Sequence, residues 1–509
     1  MTSIFSASRR TLLKAGLAAG ALPLIARAGF AQAAAPDTIT IGSAVDIVNF
    51  DPYNQSVNAL ILLKALNAWL IEYDEDLKPV PSALKSFEIG PDNKSVTLTI
   101  RPDVVFHTGK TMTVEDVVAG FERAADQKRG FNLFAATSTL VEKIEAVNDT
   151  QVLLTLKQPT ATSLITDMLV HQPVIDKDQN DAEKLASAPA SAGPYRVVEW
   201  RQGESLTLQA FPEWFGGEQR TPNIVIRFFT SPAAAVGALA SGAIDVLAYP
   251  LARDASRLQM DFNVLSGYPG AATMLLRVST KTAPFDNKIV RQALQRAINR
   301  DRIVKEVLFE FGGAAYLPWG PKSPVQDPAV QSLIGYDLEA AKALLAQASG
   351  ISGGTAMVSG SDPTSLLVMQ IIQSDLASIG FQLTIDQQDA ATFNKRLVAG
   401  EFGVALGQVG GGQLSVPRIV QNSLMRVANN PLWKDGVPPA AYSEAINTLI
   451  GATDPAVQQA MYKQLRDVMI DESWALGTYE VPTLWAYKKD LQGLARDHQN
   501  SLVLANAGF

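Results

Sequence analysis

The 509-residue sequence contains no cysteine. This absence excludes disulfide bonds, cysteine zinc sites, iron–sulfur clusters and cysteine nucleophiles, so the fold depends on its apolar core. Histidine is almost as scarce: His107, His171 and His498 are the only three, and no two have the spacing of a helical metal-binding pair. We therefore expect no metal centre built on histidine and no cofactor, while a site of carboxylate ligands stays open.

Charge is also sparse. Charged residues make up 18% of the chain, the net charge is −7 at pH 7, and lysine and arginine form no basic stripe. Nucleic acid is therefore not an expected partner. Hydrophobic residues make up 47%, yet no run after the N-terminal segment approaches the roughly twenty residues of a membrane-spanning helix. The length suits roughly two to four domains with large cores.

Residues 1–33 have the pattern of an export signal. Arg9 and Arg10 precede a short apolar stretch, Ala15–Ile25, and Ala31–Ala33 has the small-residue pattern of a cleavage site. The apolar stretch is about half as long as a membrane-spanning helix, which favours a signal over an anchor. We expect a twin-arginine signal peptide and a periplasmic location; an ordinary secretory signal with a chance arginine pair is the alternative. Without a cysteine to carry lipid, the mature protein is not expected to be a lipoprotein.

Strand and helix patterns alternate along the remaining chain, which predicts a mixed α/β fold. A strand is predicted at Thr38–Ile41 and a helix at Ala59–Leu70, and residues 87–100 alternate as a hairpin does. Thr113 and Ser231 stand where helix N-caps are expected. Further helices are predicted after a cap at Asp286, from Leu338 to Ala348, from Thr364 to Ile379, at about 440–450 and at about 455–472.

Two glycine-rich stretches resemble functional motifs without completing them. Gly350–Gly354 matches the G-x-S-x-G pattern of serine hydrolases, but that motif needs a strand before the serine and a helix after it. Here a helix is predicted before the serine and a loop after it, which favours a turn that ends the helix. Gly410–Gly412 lacks the Lys-Ser/Thr pair of a P-loop. We interpret it as a flexible loop or one that approaches a ligand.

Several segments, in order along the chain, carry a recognisable combination of motifs. They are Asp51-Pro52-Tyr53, Leu77-Lys78-Pro79, Arg101 to Lys110, Thr113 to Val117, Ala192 to Tyr195, Trp214 to Gly217, Ser241 to Val246, Pro284-Phe285-Asp286 and Val290 to Leu294. Together they resemble the extracytoplasmic solute-binding proteins of family 5, the peptide/nickel-type receptors of ABC importers. The resemblance covers nearly the whole mature chain.

The resemblance implies a periplasmic binding protein-like α/β fold of class II, cluster C type. Two hinged lobes would close on a ligand, with an extra domain inserted in the first lobe. By analogy, lobe I would be discontinuous, comprising residues 36–79, 189–275 and 481–509. The inserted domain would comprise residues 80–188, and lobe II residues 276–480.

The ligand site is where the sequence departs from the family pattern. Many peptide receptors of this family carry Gly-Trp-x-x-Asp, in which the Asp pairs with the amine of the peptide. In this chain Val409 stands in the place of the Trp and Gly412 in the place of the Asp. A buried ammonium group without a carboxylate partner is unfavourable. The departure favours a bulkier or more hydroxylated solute, or a modified peptide, over an ordinary peptide.

Other ligand contacts follow from the resemblance or from the local sequence. Arg418 is expected to bind an anionic group, and Trp319, in a proline-rich loop, is the tryptophan best suited to face a ligand, with core packing as the alternative. His107 is expected to be a turn and packing residue. The full set of expected ligand contacts is Gln55, Ser56, Phe131, Asn132, Phe134, Trp319, Gln408, Val409, Gly410, Gly412, Gln413 and Arg418.

We interpret the chain as the substrate-binding component of an ABC importer, with no enzymatic activity. It would capture a small solute of peptide-like or modified-peptide type and deliver it to an inner-membrane permease and its ATPase subunits. We expect a monomer. One alternative is the same fold binding an opine, a sugar conjugate, an oligosaccharide or a metal chelate. An alternative of another class is a secreted hydrolase.

Overall fold

The computed structural model describes residues 37–53, 60–126, 135–410 and 415–509. Helices and strands alternate through these residues, as the sequence predicts. The strands are β1 (Thr38–Ser43), β2 (Ala68–Trp69), β3 (Ile71–Tyr73), β4 (Pro79–Pro81), β5 (Leu84–Ile89), β6 (Ser95–Ile100), β7 (Val141–Asn148), β8 (Gln151–Leu156), β9 (Pro173–Val174), β10 (Tyr195–Arg201), β11 (Ser205–Ala210), β12 (Asn223–Phe228), β13 (Val246–Ala248), β14 (Asn263–Ser266), β15 (Ala272–Val278), β16 (Gly353–Ser359), β17 (Gln382–Gln388), β18 (Val404–Gly410), β19 (Ala475–Glu480), β20 (Leu484–Tyr487), β21 (Ala495–Arg496) and β22 (Leu502–Val503).

The helices are α1 (Leu60–Leu66), α2 (Val114–Ala125), α3 (Ala135–Leu140), α4 (Thr162–Val170), α5 (Ala182–Ser187), α6 (Pro232–Ala240), α7 (Ala252–Leu258), α8 (Lys288–Ala297), α9 (Arg300–Glu306), α10 (Ala329–Ile334), α11 (Leu338–Gln347), α12 (Pro363–Ala377), α13 (Ala390–Ala399), α14 (Ala440–Gly451) and α15 (Pro455–Glu472). Short 3-10 segments occur at Lys177–Gln179, Val416–Gln421, Ser423–Met425 and Lys434–Gly436. None of the helices in the described ranges combines the length and the apolar composition that a membrane crossing requires.

The first lobe is built on a seven-stranded sheet with the order β10-β11-β12-β1-β13-β20-β14. Its central strand β1 is parallel to β12 and to β13, whereas β20 is antiparallel to β13. Alternate side chains of β1 and β12 are fully buried, including Ile39, Ile41, Ile224 and Ile226. Burial of these branched side chains on one face supports the sheet through the hydrophobic effect.

The second lobe is built on a five-stranded sheet with the order β17-β16-β18-β15-β19. Strands β17, β16 and β18 run parallel, while β15 and β19 are antiparallel to their neighbours. One face carries α8, α11 and α12, and the other carries α14 and α15, so both faces contact an apolar core. Because helices cover both faces, a ligand can approach the sheet at the ends of its strands.

The inserted domain is a four-stranded antiparallel sheet, β5-β6-β8-β7, with α2 and α4 packed against it. Val96, Leu98 and Ile100 of β6 are buried, as the alternation in the sequence predicts. Helix α2 is capped at Thr113, as predicted, and it begins with a capping box. The carboxylate of Asp116 accepts a hydrogen bond from the backbone amide of Thr113 at 2.8 Å. The predicted cap at Ser231 is also confirmed, because its Oγ accepts a hydrogen bond from the backbone amide of Ala234.

Two local predictions are wrong. The helix predicted over Ala59–Leu70 ends at Leu66, because Ala68 and Trp69 form a strand that pairs with β9. The helix predicted to begin after Asp286 is capped one residue later, by Asn287, whose Oδ1 accepts from the amide of Ile289. In both cases a competing pairing or capping partner decides the boundary.

Two short connections join the lobes and form the hinge. Residues 267–271 lead from β14 of the first lobe into β15 of the second, and residues 481–483 lead from β19 back into β20. The connections are hydrogen-bonded at both ends, since the amide of Gly267 donates to Thr483 O at 2.6 Å and the amide of Val481 donates to Ala272 O at 2.9 Å. The two crossings therefore lie side by side.

Candidate functional site

The carboxyl ends of the parallel strands of both lobes meet at the hinge. In the first lobe, β20 begins beside Ala248, the last residue of β13. In the second lobe, β15 begins at Ala272, which pairs with Gly410 at the end of β18. Because the hinge segments are short and bonded to each other, the two sets of carboxyl ends lie on either side of the hinge. We refer to the space between the lobes at this point as the crevice. Open α/β sheets bind ligands at this position.

The inserted domain closes one side of this crevice against the second lobe. The amide of Ala161, just before α4, donates to Ile450 O in α14 at 2.8 Å. Leu140 and Leu164 of the inserted domain pack together with Ile450 in a small apolar cluster. These contacts join parts of the chain that are far apart in sequence, and they bring the inserted domain against the second lobe.

A buried polar cluster joins all three parts of the fold, and we call Arg418, Asp167, His171 and Gln499 the clasp. Nη1 of Arg418, from the second lobe, lies 2.8 Å from Oδ1 of Asp167 and 2.7 Å from Nε2 of His171, both on the α4 segment of the inserted domain. The side chain of Gln499, near the C-terminus, also donates to His171 Nε2. Arg418 is 4% exposed and Asp167 only 1%.

The hydrogen bonds of the clasp assign the protonation state of the imidazole. His171 Nδ1 lies 2.7 Å from the carbonyl oxygen of Asp167, and we assign its proton there. The single lone pair of Nε2 is then shared between Arg418 and Gln499, while Arg418 Nη1 also lies 2.8 Å from Nδ1. Burial, and then the positive charge of Arg418, hold the pKa of His171 well below its ordinary value. Burial raises the pKa of Asp167, and the guanidinium acts in the opposite direction. The clasp is therefore a charged pair with a neutral histidine beside it.

His498, next to Gln499 of the clasp, is also buried. His498 packs edge-on against Tyr73 with ring centroids 5.1 Å apart, and within the described residues neither of its ring nitrogens has a hydrogen-bond partner. Burial, followed by the charges of Lys64 and Arg418, lowers the pKa of His498 to about 3. A cationic imidazole at this position would be strongly disfavoured.

The hinge carries a second contact between the lobes. Tyr268 accepts a hydrogen bond from Lys322 Nζ of the second lobe at 2.5 Å. The guanidinium of Arg496, in the C-terminal segment, lies 5.0 Å from the centre of the same ring. Tyr268 is thus held between two cations, as aromatic rings favour.

Seven of the expected ligand contacts lie outside the described residues. These are Gln55, Ser56, Phe131, Asn132, Phe134, Gly412 and Gln413. Their role as ligand contacts stays a prediction.

The glycine-rich stretch is less of a loop than expected. Gln408, Val409 and Gly410 are the last residues of β18 and pair with Met274, Thr273 and Ala272 of β15. Gln408 and Gly410 are exposed, whereas the side chain of Val409 is 6% exposed and packs in the core of the second lobe. Of the predicted loop Gly410–Gly412 the structure describes Gly410 alone, and this residue is corrected to the end of a strand, because pairing with β15 extends to it.

Trp319 and Arg418 also have partners within the chain. The indole of Trp319 is 1% exposed in the core of the second lobe, and its Nε1 donates to Val416 O at 3.4 Å. This placement corrects the expectation of a ligand-facing indole in favour of the packing alternative. Arg418 was expected to bind an anion of the ligand, but the structure gives its guanidinium the carboxylate of Asp167.

Asp167, His171 and Gln499 were not identified from the sequence. A local signal was present, because Asp167 and His171 are four residues apart at the end of a helix and therefore share one face. His171 was considered only as a metal ligand. Within the described ranges, no group of three His, Asp or Glu side chains has the arrangement of a metal site.

The serine-hydrolase motif has the reverse of the required geometry. Helix α11 ends at Gln347 before the motif, Gly350 turns the chain with a φ of 81°, and strand β16 begins at Gly353. Ser352 therefore sits in a helix-to-strand connection, whereas the nucleophile elbow is a strand-to-helix turn. His107, the third histidine, packs on Phe211 and bonds Gly193 O at 3.0 Å, in a turn as expected.

Comparisons with known proteins agree with this architecture. Residues 78–431 match the family described as bacterial extracellular solute-binding proteins, family 5 Middle. The chain is 26% identical over 499 residues to the glutathione-binding protein GsiB of Pectobacterium atrosepticum, covering 93% of each chain.

Solved structures of similar fold include NikA from Brucella suis in complex with Fe(III)-EDTA, at a TM-score of 0.82 and 20% identity, covering 92% of this chain and 99% of that one. The agropinic acid complex of AgaA from A. tumefaciens matches at a TM-score of 0.76 and 22% identity, covering 93% of this chain and 98% of that one. The fold is that of a periplasmic binding protein with two lobes and an inserted domain. The chain belongs to the family 5 bacterial extracellular solute-binding proteins, which bind solutes for ABC importers and are not enzymes.

Proposed function

We propose that this protein captures a small solute of modified-peptide type in the crevice between its lobes and delivers it to an inner-membrane ABC permease. The observation that carries the proposal is the clasp. Arg418, Asp167 and Gln499 come from three different parts of the fold and meet in one buried cluster, so we infer that separating the lobes would break it. A contact of this kind couples capture of a solute to the shape that a permease recognises.

The site chemistry favours a solute other than an ordinary peptide. Val409 turns its side chain into the core, so no aromatic ring stands at this point of β18. The sequence places Gly412 where peptide receptors carry an acid for the peptide amine. Glutathione and agropinic acid, which similar proteins are named for binding, are a modified peptide and an opine. We therefore place modified peptides first and opines second.

A thermal-shift screen tests this proposal. A ligand at a hundred times its dissociation constant stabilises the folded protein by about 2.7 kcal/mol. We expect stabilisation by glutathione-like peptides or opines, and much less by unmodified dipeptides and neutral oligosaccharides. Micromolar binding of free dipeptides would contradict the inferred departure from peptide receptors, and preferential binding of an oligosaccharide or a metal chelate would favour the corresponding alternative.

We also propose that residues 1–33 form a twin-arginine signal and that the mature protein is a periplasmic monomer. Replacing Arg9 and Arg10 by lysine should leave the protein in the cytoplasm, because the translocase reads the arginine pair. Replacing Lys14 by arginine is a suitable control that keeps the charge. Unchanged export of the double variant would favour an ordinary secretory signal, and size-exclusion chromatography tests the monomer.

The division into domains at residues 36–79, 189–275 and 481–509, 80–188 and 276–480 is part of the same proposal. Limited proteolysis with mass spectrometry tests it, because exposed boundaries between domains are preferred cleavage sites. Early cuts inside the five-stranded or seven-stranded sheet would contradict these boundaries.

A further inference from the structure

Buried arginines need partners, and among the described residues Arg277 has fewer than the other buried arginines. Five arginines in the described ranges are at most 4% exposed: Arg123, Arg277, Arg291, Arg300 and Arg418. Three of them pair with a carboxylate of the chain, and Arg300 donates to four backbone carbonyl groups. Arg277 is the exception, because it has neither a carboxylate nor several carbonyl acceptors, although Nη2 of Arg300 is also buried without a partner in the described ranges.

The guanidinium of Arg277 has one hydrogen bond recorded within the described residues. Its Nη2 donates to Gln408 O at 2.8 Å, while its Nε is buried without a partner, and no ion pair joins it to a described carboxylate. Burial lowers the pKa of Arg277 to about 10, which leaves the side chain cationic at neutral pH. A buried cation with unused donors is unfavourable unless something else satisfies it.

The side chain leans along β18 toward the end of that strand at the hinge. Arg277 pairs with Ala405 in the register of β15 and β18, yet its guanidinium contacts Gly407 and Gln408. It therefore leans toward the carboxyl end of β18, which meets the crevice at Gly410. About two residues of strand, or roughly 7 Å, separate Gln408 from that end.

Gly407 makes room for this guanidinium. A Cβ atom at Gly407 would lie 2.8 Å from Nε and 2.9 Å from Cζ of Arg277. Any side chain at position 407 would displace the guanidinium from the strand. The glycine and the arginine therefore form one feature, a cationic group held flat against β18.

A second unsatisfied polar group follows residues 411–414 along the chain. Ser415 is 1% exposed, and its Oγ is buried without a hydrogen-bond partner in the described ranges. The adjacent Val416 is anchored through its carbonyl to the indole of Trp319. Arg277 and Ser415 therefore each have a buried hydrogen-bonding atom that no described residue satisfies.

We propose that Arg277 anchors a carboxylate of the captured solute. The guanidinium has donors left for a charge-assisted contact with a carboxylate. The inference rests on the proposed function and narrows it, since the solute must carry a free acid. It also replaces Arg418, whose carboxylate partner is already supplied by Asp167, as the residue that reads anionic charge.

Matched solutes test the inference. Each solute that binds in the screen is compared as its free acid and as its primary amide, by calorimetry on the wild type and on Arg277→Met. We expect the wild type to prefer the acid roughly 10-fold to 100-fold. In Arg277→Met the acid should lose that advantage, while affinity for the amide stays within about twofold. Arg396→Met, which removes a cation paired with Asp386 away from the hinge, is the control and should keep the preference.

A ligand-independent arm separates this inference from the proposed function. Acetate and acetamide are titrated at matched ionic strength, and acetate should raise the melting temperature of the wild type more than that of Arg277→Met. If solutes bind but the acid preference is absent, or survives in Arg277→Met, the inference fails and the proposed function stands. If no solute binds, the proposed function fails, and equal effects of acetate on both proteins would overturn the inference as well.

A structural role for Arg277 gives a different result. In that case Arg277→Met would lower the melting temperature without changing the ratio of acid to amide affinity, which overturns the proposal. If Arg277→Met does not fold, Gly407→Ala replaces it, because the added methyl group displaces the guanidinium and keeps its charge. Loss of the acid preference in Gly407→Ala supports the proposal, and retention of the preference contradicts it.

Discussion

Removing the carboxylate of the clasp should open the protein. In Asp167→Ala, closure would bury the guanidinium of Arg418 without its 2.8 Å partner. Breaking a buried pair by removing one member typically costs about 3–5 kcal/mol. In the open state water can hydrate Arg418, so this penalty falls on the closed state alone. An effect of 3 kcal/mol corresponds to roughly a 150-fold shift toward the open state and an equal loss of apparent ligand affinity.

Small-angle X-ray scattering and calorimetry measure the two effects. Asp167→Ala should have a larger radius of gyration than the wild type and a weaker apparent affinity, and the double variant Asp167→Leu with Arg418→Met should recover part of both. Asp375→Asn is the matched control, because it weakens an ion pair with Arg302 inside the second lobe. A scattering profile and an affinity unchanged in Asp167→Ala would refute the role of the clasp in closure.

Three further outcomes follow from the same contacts. The pKa of His498 is lowered to about 3 by burial, with Lys64 and Arg418 acting in the same direction. The folded state therefore binds fewer protons than the unfolded state below about pH 6.5. His498 alone should lower the free energy of unfolding by about 1.4 kcal/mol for each unit by which the pH falls below that value. Denaturant titrations of His498→Gln should lack this contribution. Trp319→Ala should lower stability by about 3–5 kcal/mol, with little change in ligand affinity at temperatures where the variant is folded; a selective loss of affinity would restore its role as a ligand contact. Tyr268→Phe should weaken closure by about 1 kcal/mol in scattering measurements, because Lys322 loses its acceptor, and an unchanged open fraction would contradict this.

Local features of the fold were readable from the sequence because their determinants are local. Val96, Leu98 and Ile100 alternate with polar residues, so a strand buries all three on one face. The capping box of Thr113 and Asp116 satisfies backbone amides within one turn of the helix. The end of β18 was not readable in this way. A run of glycines is typical of a loop, and only pairing with β15 makes Gly410 the end of a strand.

The clasp could not be predicted for a related reason. Arg418 and Asp167 are 251 residues apart, and their approach depends on how the inserted domain folds back onto the second lobe. The sequence predicted that Arg418 binds an anion, but it could not show that this anion is the carboxylate of Asp167. Arg277 has a clearer signal in the sequence, because it is the single charged residue in the apolar stretch Met274-Leu275-Leu276-Arg277-Val278.

Arg418 and Arg277 have different roles on this account: Arg418 contributes to closure, and Arg277 to recognition of the solute. A buried ion pair gains little net energy over its hydrated components, because desolvation offsets most of the attraction. The pair of Arg418 and Asp167 therefore specifies the geometry of the closed state more than it drives closure. Arg277 differs, because it is buried between strands of a single lobe and its desolvation is already part of the fold of that lobe. An anion that reaches it removes an existing penalty without burying a new cation. On this reasoning the solute's carboxylate contributes affinity through Arg277, and the clasp specifies the closed form that the permease receives.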